Sequence, residues 1–307
     1  MYTDNAPILL FVYNRPMHTW QTLEALKKNH HASESDLVIY SDGAKSSEEA
    51  SRVTEVRDYI KSVNGFKSIT CIERNDNWGL AANIIDGVTD VVQRYGKVIV
   101  MEDDILTSPA FLSFMNQALD FYEEKKKVWH VSGWNYPIES KGLGDVFLWR
   151  AMNCWGWATW ADRWQYFEKK PETLVKIWSD EEKSSFDLGD SGVFWSQVEA
   201  NVTGKINTWA IFWYATIFQN NGMCLNPVTS YVANIGQDGS GVHCGESSGY
   251  RSQDLCLANK LDLTTDYKES ELAVNRILEF YKRQKKPLYI RIINKVSRLL
   301  SGRNLFQ

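Results

Sequence analysis

Five short apolar runs alternate with helical stretches over the first 135 residues, and that alternation limits the chain to few architectures. The runs fall at 7–13, 37–41, 68–73, 97–101 and 127–132. Each is about strand length and rich in Val, Ile and Leu, as strands buried on both faces are. Between them, amphipathic stretches at about 17–30, 48–63, 80–95 and 109–125 read as helices. Strand and helix in alternation give a mostly parallel central sheet flanked by helices. A chain of 307 residues, 44% hydrophobic and 23% charged, has enough apolar matter for one large domain of this kind. After residue 140 the pattern becomes aromatic-rich and less regular, with helices expected at 171–184, 191–203 and 207–220.

In an open α/β sheet, ligands bind beyond the C-terminal ends of the strands. The run Lys97-Val98-Ile99-Val100-Met101 leads into Glu102-Asp103-Asp104. Three adjacent carboxylates repel one another, and a fold keeps such a cluster where a cation shares it. Oxygen-only donors suit Mg²⁺ or Mn²⁺, ions that commonly carry a diphosphate. Helix capping is the plain alternative, but Ser108-Pro109 offers an N-cap and a first-turn proline of its own before Ala110. Two other strands end at the same edge, in Tyr13-Asn14-Arg15-Pro16 and in Tyr40-Ser41-Asp42-Gly43. Asp42-Gly43 is also an ordinary turn pair. A further segment, Arg74-Asn75-Asp76-Asn77-Trp78-Gly79-Leu80-Ala81-Ala82-Asn83, opens a helix at that edge.

Other features narrow the functional classes. A net charge of −4 gives no reason to expect a nucleic-acid partner. Five cysteines without a CxxC pair indicate neither a disulfide framework nor a zinc site. With no signal-like N-terminus and no apolar run of membrane-spanning length, the sequence reads as cytoplasmic. Thirteen tryptophans fit both a heavy core and a sugar-binding surface, since an indole face packs on the C–H face of a pyranose. Residues 234–250 hold five glycines and almost nothing apolar, and read as a lid-like loop. From 282 onward there are eight Lys/Arg and no acid. Tyr289, Ile292, Ile293, Val296, Leu299 and Leu300 share one helical face there, the pattern of a helix lying on an anionic membrane surface or docked on protein.

FVYNRP, SDGA, the Arg74–Asn83 segment and VIVMEDDI together resemble the nucleotide-binding half of glycosyltransferases of the GT-A fold, in which the acidic triplet corresponds to the DxD-type motif. Gly156-Trp157-Ala158-Thr159-Trp160-Ala161-Asp162-Arg163-Trp164 is similar to the segment after the metal site in N-acetylglucosaminyltransferase I-like enzymes. Asn226-Pro227 and 234–243 are similar to their closing loop. The resemblance spans roughly 6–245, in motifs, and extends to bacterial enzymes that build surface polysaccharide. It implies a GT-A, Rossmann-like α/β domain. Residues 1–135 would be the nucleotide-sugar half, 136–265 the acceptor half with its closing loop, and 266–307 a basic helical tail. It implies a hexosyltransferase-type enzyme using a nucleotide-sugar donor, UDP-linked in many relatives, with Mn²⁺ or Mg²⁺ and a glycan or lipid-linked acceptor. A tail on the inner face of the membrane would suit the latter.

The resemblance also implies residue roles. Asp104 would ligate the metal, Asp103 would contact the ribose and Glu102 would orient the group from behind, since neighbours on an extended strand point to opposite faces. Asp42 would read the nucleobase, Arg15 and Asn83 would lie by the diphosphate and helix start, and His243 would be a second ligand. Trp155, Trp157 and Trp160 would shape the sugar pocket. The stretch Thr208–Trp213, where inverting relatives carry an Asp base, has none, and no acid occurs from 200 through 237. Glu199, Asp162 and Asp238 are left as candidate bases. That gap keeps a non-catalytic sugar-nucleotide or glycan binder as the alternative. A nucleotidyltransferase fits less well, because Tyr13-Asn14-Arg15-Pro16 lacks the glycines of a triphosphate loop.

Overall fold

The computed structural model describes residues 5–189, 191–236 and 254–284. An eight-stranded sheet forms its centre, in the order β3-β2-β1-β4-β8-β6-β9-β7. The first four strands are β1 (Ile8–Val12), β2 (Asp36–Ser41), β3 (Ser68–Glu73) and β4 (Lys97–Glu102). They run parallel, with β1 paired to both β2 and β4. Every residue of β1 is buried, as are Val98–Met101, which is why these runs carry no polar alternation. The helices between them are α1 (Pro16–Lys27), α2 (Ser47–Ser62) and α3 (Leu80–Tyr95). In α3 the apolar residues Ala81, Ile84, Val88, Val91 and Val92 recur at helical spacing and are buried. Gly96 ends α3 in the left-handed region (φ 79°), its N–H donating to Val92 O.

The second half is mixed. Short β5 (Ile105–Thr107) leaves the acidic stretch and pairs antiparallel with β10 (Val232–Asn234). Next, α4 (Phe111–Tyr122) leads to β6 (Val128–Ser132), followed by β7 (Val146–Trp149) and β8 (Trp157–Trp160). β8 inserts antiparallel between β4 and β6, so β6 runs in the direction of β4 and ends on the same edge. α5 (Ala161–Trp164), α6 (Pro171–Ile177), α7 (Asp180–Phe186), α8 (Trp195–Val202), α9 (Ala210–Gln219) and β9 (Met223–Pro227) follow. The last described helix is α10 (Glu271–Gln284).

The α/β class and the Rossmann-like parallel half agree with expectation. The helix expected over 171–184 is two helices, split where the capping box of Ser179 and Glu182 starts α7. Ser108 does not cap α4. That helix starts at Phe111 without a side-chain cap, and the Ser108 hydroxyl is buried with no hydrogen-bond partner among the described residues. Trp157 and Trp160, expected at the sugar pocket with Trp155, are 1% and 2% exposed and belong to the core, because β8 is an interior strand of the sheet. No described helix is long and apolar enough to cross a membrane. The tail from 285, with the amphipathic stretch 288–300, lies outside the described residues.

Candidate active site

The strand order reverses between β1 and β4, and in such sheets the crevice outside that point takes the ligand. The loop after β1 places Arg15 there, and the turn after β4 places Asp103 and Asp104. The Arg15 Nη1 is 2.9 Å from Asp104 Oδ2 and 3.7 Å from Asp103 Oδ1. Alternation of side chains predicts that the two aspartates face apart. They do not, because β4 ends at Glu102 and the next two residues form a turn, which brings both carboxylates to one guanidinium. Asp103 is held at two points: Tyr13 N–H donates to its carboxylate Oδ2 (3.4 Å), and the Thr22 hydroxyl donates to its backbone O (2.8 Å).

β10 seals the other flank of this turn. Ile235 N–H donates to Asp104 O at 2.9 Å, and the Asn234 amide lies 3.5 Å from Asp104 Oδ1. A Cβ on Gly236 would fall 2.0 Å from Asp104 Oδ2, so any larger residue there would have to displace the Asp104 carboxylate. The first residues of the glycine-rich 234–250 stretch are thus held against the acids. The rest of that stretch, with Asp238 and His243, lies outside the described residues.

Burial, then the charges of Asp104 and Asp103, push the Glu102 carboxyl up to about 8. Burial and Asp104 push Asp103 up to about 7, against the pull of Arg15. Carboxyls so disposed gain from a cation. The donor set is hard oxygen, and the guanidinium stands in for a cation between Asp103 and Asp104, so the residues fit Mg²⁺ or Mn²⁺. Among the described residues, no three or more His, Cys, Asp or Glu side chains converge as a complete metal cage. Sites that share the ion with substrate phosphates and water have that form.

Asp42, next along the edge, accepts four hydrogen bonds. Oδ1 receives Gly43 N–H (2.9 Å) and Trp78 N–H (2.8 Å), and Oδ2 receives Asn77 Nδ2 (3.0 Å) and Gly79 N–H (2.9 Å). Three of the four donors belong to the loop that opens α3, and the fourth is the neighbouring Gly43. Gly43 allows the closeness, since a Cβ there would lie 2.4 Å from the Asp76 carbonyl carbon. Asn83, in the first turn of α3, accepts from Arg74 Nε (3.3 Å) and donates to Gly79 O (3.1 Å). The Arg74 guanidinium lies 3.8 Å from the centroid of the half-exposed Trp78 ring and pairs with Asp86.

Of the two described candidate bases, Asp162 is not at this site. Asp162 follows β8, whose last residue pairs with Lys97 at the start of β4, so it sits at the opposite end of the sheet. There it pairs with Lys126 (2.8 Å) and Arg163 (2.6 Å). These partners hold its carboxyl below the usual range although burial opposes them. Glu199 is exposed on α8, where it accepts from Trp195 Nε1 at 3.1 Å. Trp155 stands apart from its two buried neighbours. It lines a cavity of about 460 Å³ near the C-terminal end of β6, on the edge that carries Asp103 and Asp104.

Several residues here had no signal in the sequence. Thr22 is nearly two turns into α1, and Asn153 precedes β8 in an irregular aromatic stretch. Asn234 and Gly236 were visible only as loop residues, since their contact with Asp104 depends on the β5–β10 pairing.

No family model and no curated protein matches this chain. Among solved structures it is similar to a mannosyltransferase, PcManGT from Pyrobaculum calidifontis, in a complex with GDP-Man and Mn²⁺. The identity is 11% and the TM-score 0.41, over 71% of this chain and 70% of that one. It is also similar to TarS of S. aureus, at 15% identity and a TM-score of 0.28, over 41% of this chain and 21% of that one. Likeness this distant assigns no role to any residue.

Proposed function

We propose that this chain is a glycosyltransferase that moves a sugar from a nucleotide-sugar to a hydroxyl of a glycan or lipid-linked acceptor. The observation that carries the reading is the meeting of Arg15, Asp103 and Asp104 at the sheet's switch point, with Gly236 closed against Asp104. Asp103 and Asp104 would hold Mn²⁺ or Mg²⁺, and the ion, when bound, stabilises negative charge on the departing diphosphate. Arg15 supplies a second positive group for the diphosphate oxygens, with donors in a fixed fork. The loop pinned by Asp42 and the N-terminal turn of α3 offer an aromatic face at Trp78 and a helix start for the nucleotide. A hexose, UDP-linked, remains the proposed donor, and surface polysaccharide the proposed setting.

The acceptor hydroxyl must lose a proton. Asp162 sits at the opposite end of the sheet and Glu199 is engaged by Trp195 on α8, and the reading favours Asp238, which in sequence closely follows the segment held on Asp104. The position of Asp162 also supports a second reading, a sugar-nucleotide binder without turnover. Incubation with UDP- and GDP-sugars, with and without Mn²⁺, separates the two. A transferase releases nucleoside diphosphate slowly to water in a metal-dependent way, whereas a binder shows Mn²⁺-dependent affinity and no release. Neither binding nor release with any nucleotide-sugar would overturn both.

A further inference from the structure

The cavity beside Trp155 has a lining unlike that of the acidic crevice. Its walls come from the loop after β6 (Trp134, Tyr136), the segment before β8 (Asn153, Trp155), the start of α8 (Gln197), α9, and Tyr281 of α10. No Asp, Glu, Lys, Arg or His side chain lines it among the described residues. Its volume, about 460 Å³, is in the range of small-molecule sites.

The aromatic walls are fixed. Trp134 packs edge-on against Trp155 and Tyr136, with centroids 4.6 Å and 4.7 Å apart, and the hydroxyls of Tyr136 and Tyr281 are hydrogen-bonded to each other. The segment carrying Asn153 is anchored from below. Burial pushes His130 down to about 3, so its imidazole is neutral. Nε2 then donates to Asn153 O (3.0 Å), and Nδ1 accepts from Trp213 Nε1 (3.3 Å). Anchoring leaves the Asn153 side chain in an unusual state. The residue is 8% exposed, and its Nδ2 is buried with no hydrogen-bond partner among the described residues. An unpaired buried amide costs about 1–3 kcal/mol, and it is rarely kept without a use. Gln197 adds a second amide on the facing wall, its Nε2 donating to Val193 O (2.9 Å).

Building on the transferase reading, we propose that this cavity is the acceptor subsite and that it takes an uncharged pyranose. The ring's C–H face lies on the indole of Trp155, and a ring hydroxyl bonds to the Asn153 side-chain amide, which lies in the cavity wall. The chemistry selects this class over its rivals. A lipid chain would leave the Asn153 amide unpaired. A uronic acid or a sugar phosphate would bury a charge with no counter-charge on the walls, which is costly. The position fits as well, because β6 and β4 end on one sheet edge, the edge that carries the acidic crevice.

The test is saturation-transfer NMR on the full chain. The probes are the methyl glycosides of glucose, galactose, mannose and N-acetylglucosamine, with glucuronate and glucose 6-phosphate as charged controls. At least one neutral glycoside should bind, with transfer strongest to protons of one ring face, and the charged sugars should bind at least ~10-fold more weakly. Trp155→Ala should weaken that binding at least ~10-fold. Asn153→Leu should do the same while its melting temperature stays at or above that of the parent, since an apolar isostere removes the unpaired amide. A residue that only holds the fold would not show that combination. No binding of any neutral glycoside, preference for the charged sugars, or undiminished binding in Asn153→Leu would overturn the proposal. Mn²⁺-dependent nucleotide-sugar binding by the unmodified chain distinguishes failure of this subsite from failure of the transferase reading.

Discussion

Replacement of Asp42 by alanine should destabilise the protein more than any other single change on the ligand edge. The carboxylate is 7% exposed and accepts from three backbone N–H groups and the Asn77 amide, all within 3.0 Å. Hydrogen bonds to a charged acceptor are worth about 1.5–3 kcal/mol each. The four are not additive, because they order one loop and water can enter once the carboxylate is gone. We therefore expect a loss of about 3–5 kcal/mol, which places the change among the large single-residue effects. Asp42→Asn should lose about half of that. It keeps one carbonyl oxygen for two donors but turns an N–H₂ toward the other two. Urea denaturation followed by fluorescence and far-UV dichroism gives both values. Nucleotide affinity should fall in both variants roughly in step with stability, because the loop carrying Trp78 and the start of α3 loosens. If Asp42→Ala is within 0.5 kcal/mol of the parent yet loses nucleotide binding, the carboxylate reads the base and does not hold the loop.

Three further outcomes follow from the structure. Gly236→Ala puts a methyl group 2.0 Å from Asp104 Oδ2, so Mn²⁺-dependent nucleotide binding should drop at least ~10-fold with unfolding stability nearly unchanged; unaltered binding would show that the segment after β10 moves aside freely. Glu102 and Asp103 stand at about 8 and about 7, above their ordinary 4.5 and 3.8, so their contribution to stability is full below pH 4 and is lost as pH rises toward 8. Denaturation of the metal-free protein should show this fall between pH 5 and 8, and Glu102→Gln should flatten it; an equally steep fall in that variant would refute the cause. Arg163→Ala should cost about 3 kcal/mol in chemical denaturation, since the buried guanidinium donates to Tyr122 O (3.0 Å) and Glu123 O (2.7 Å) at the end of α4 and packs over Trp160; a change under 1 kcal/mol would mean that water replaces it.

The two halves of the chain were legible to different degrees, for a physical reason. In the first half each strand is an apolar run paired in parallel, and the helix between strands carries its own period. Ile8–Val12, Ser68–Glu73 and Leu80–Tyr95 therefore sit within a residue or so of where hydrophobicity places them. In the second half, β7 and β8 have four residues each and β5 and β10 three. Their pairing is set by distant partners, such as Val232 with Thr107, which no local pattern reveals. Asp162 followed from a motif, but its place depends on β8 running antiparallel to β4, and direction is not written in Trp157–Trp160. Asp103 and Asp104 were found as a pair and assigned to opposite faces, because the end of β4 one residue earlier was not visible. Asp42 was found as a strand-end acid, while its four donors lie up to 37 residues away. The cavity was foreshadowed only by Trp155, and the sequence could not tell that indole from the two that belong to the core.

The central claim is that Asp103 and Asp104, beside Arg15, form a cation-assisted diphosphate site. Titration calorimetry with UDP-glucose and GDP-mannose, in 2 mM Mn²⁺ and in chelator, tests it most directly on the parent chain and on Asp104→Ala. At least one donor should bind the parent at least ~10-fold more tightly with Mn²⁺ than without. In Asp104→Ala, with its fold verified by dichroism, that gain should vanish. Equal donor affinity in Mn²⁺ and in chelator, or a full Mn²⁺ gain retained by Asp104→Ala, would contradict the claim.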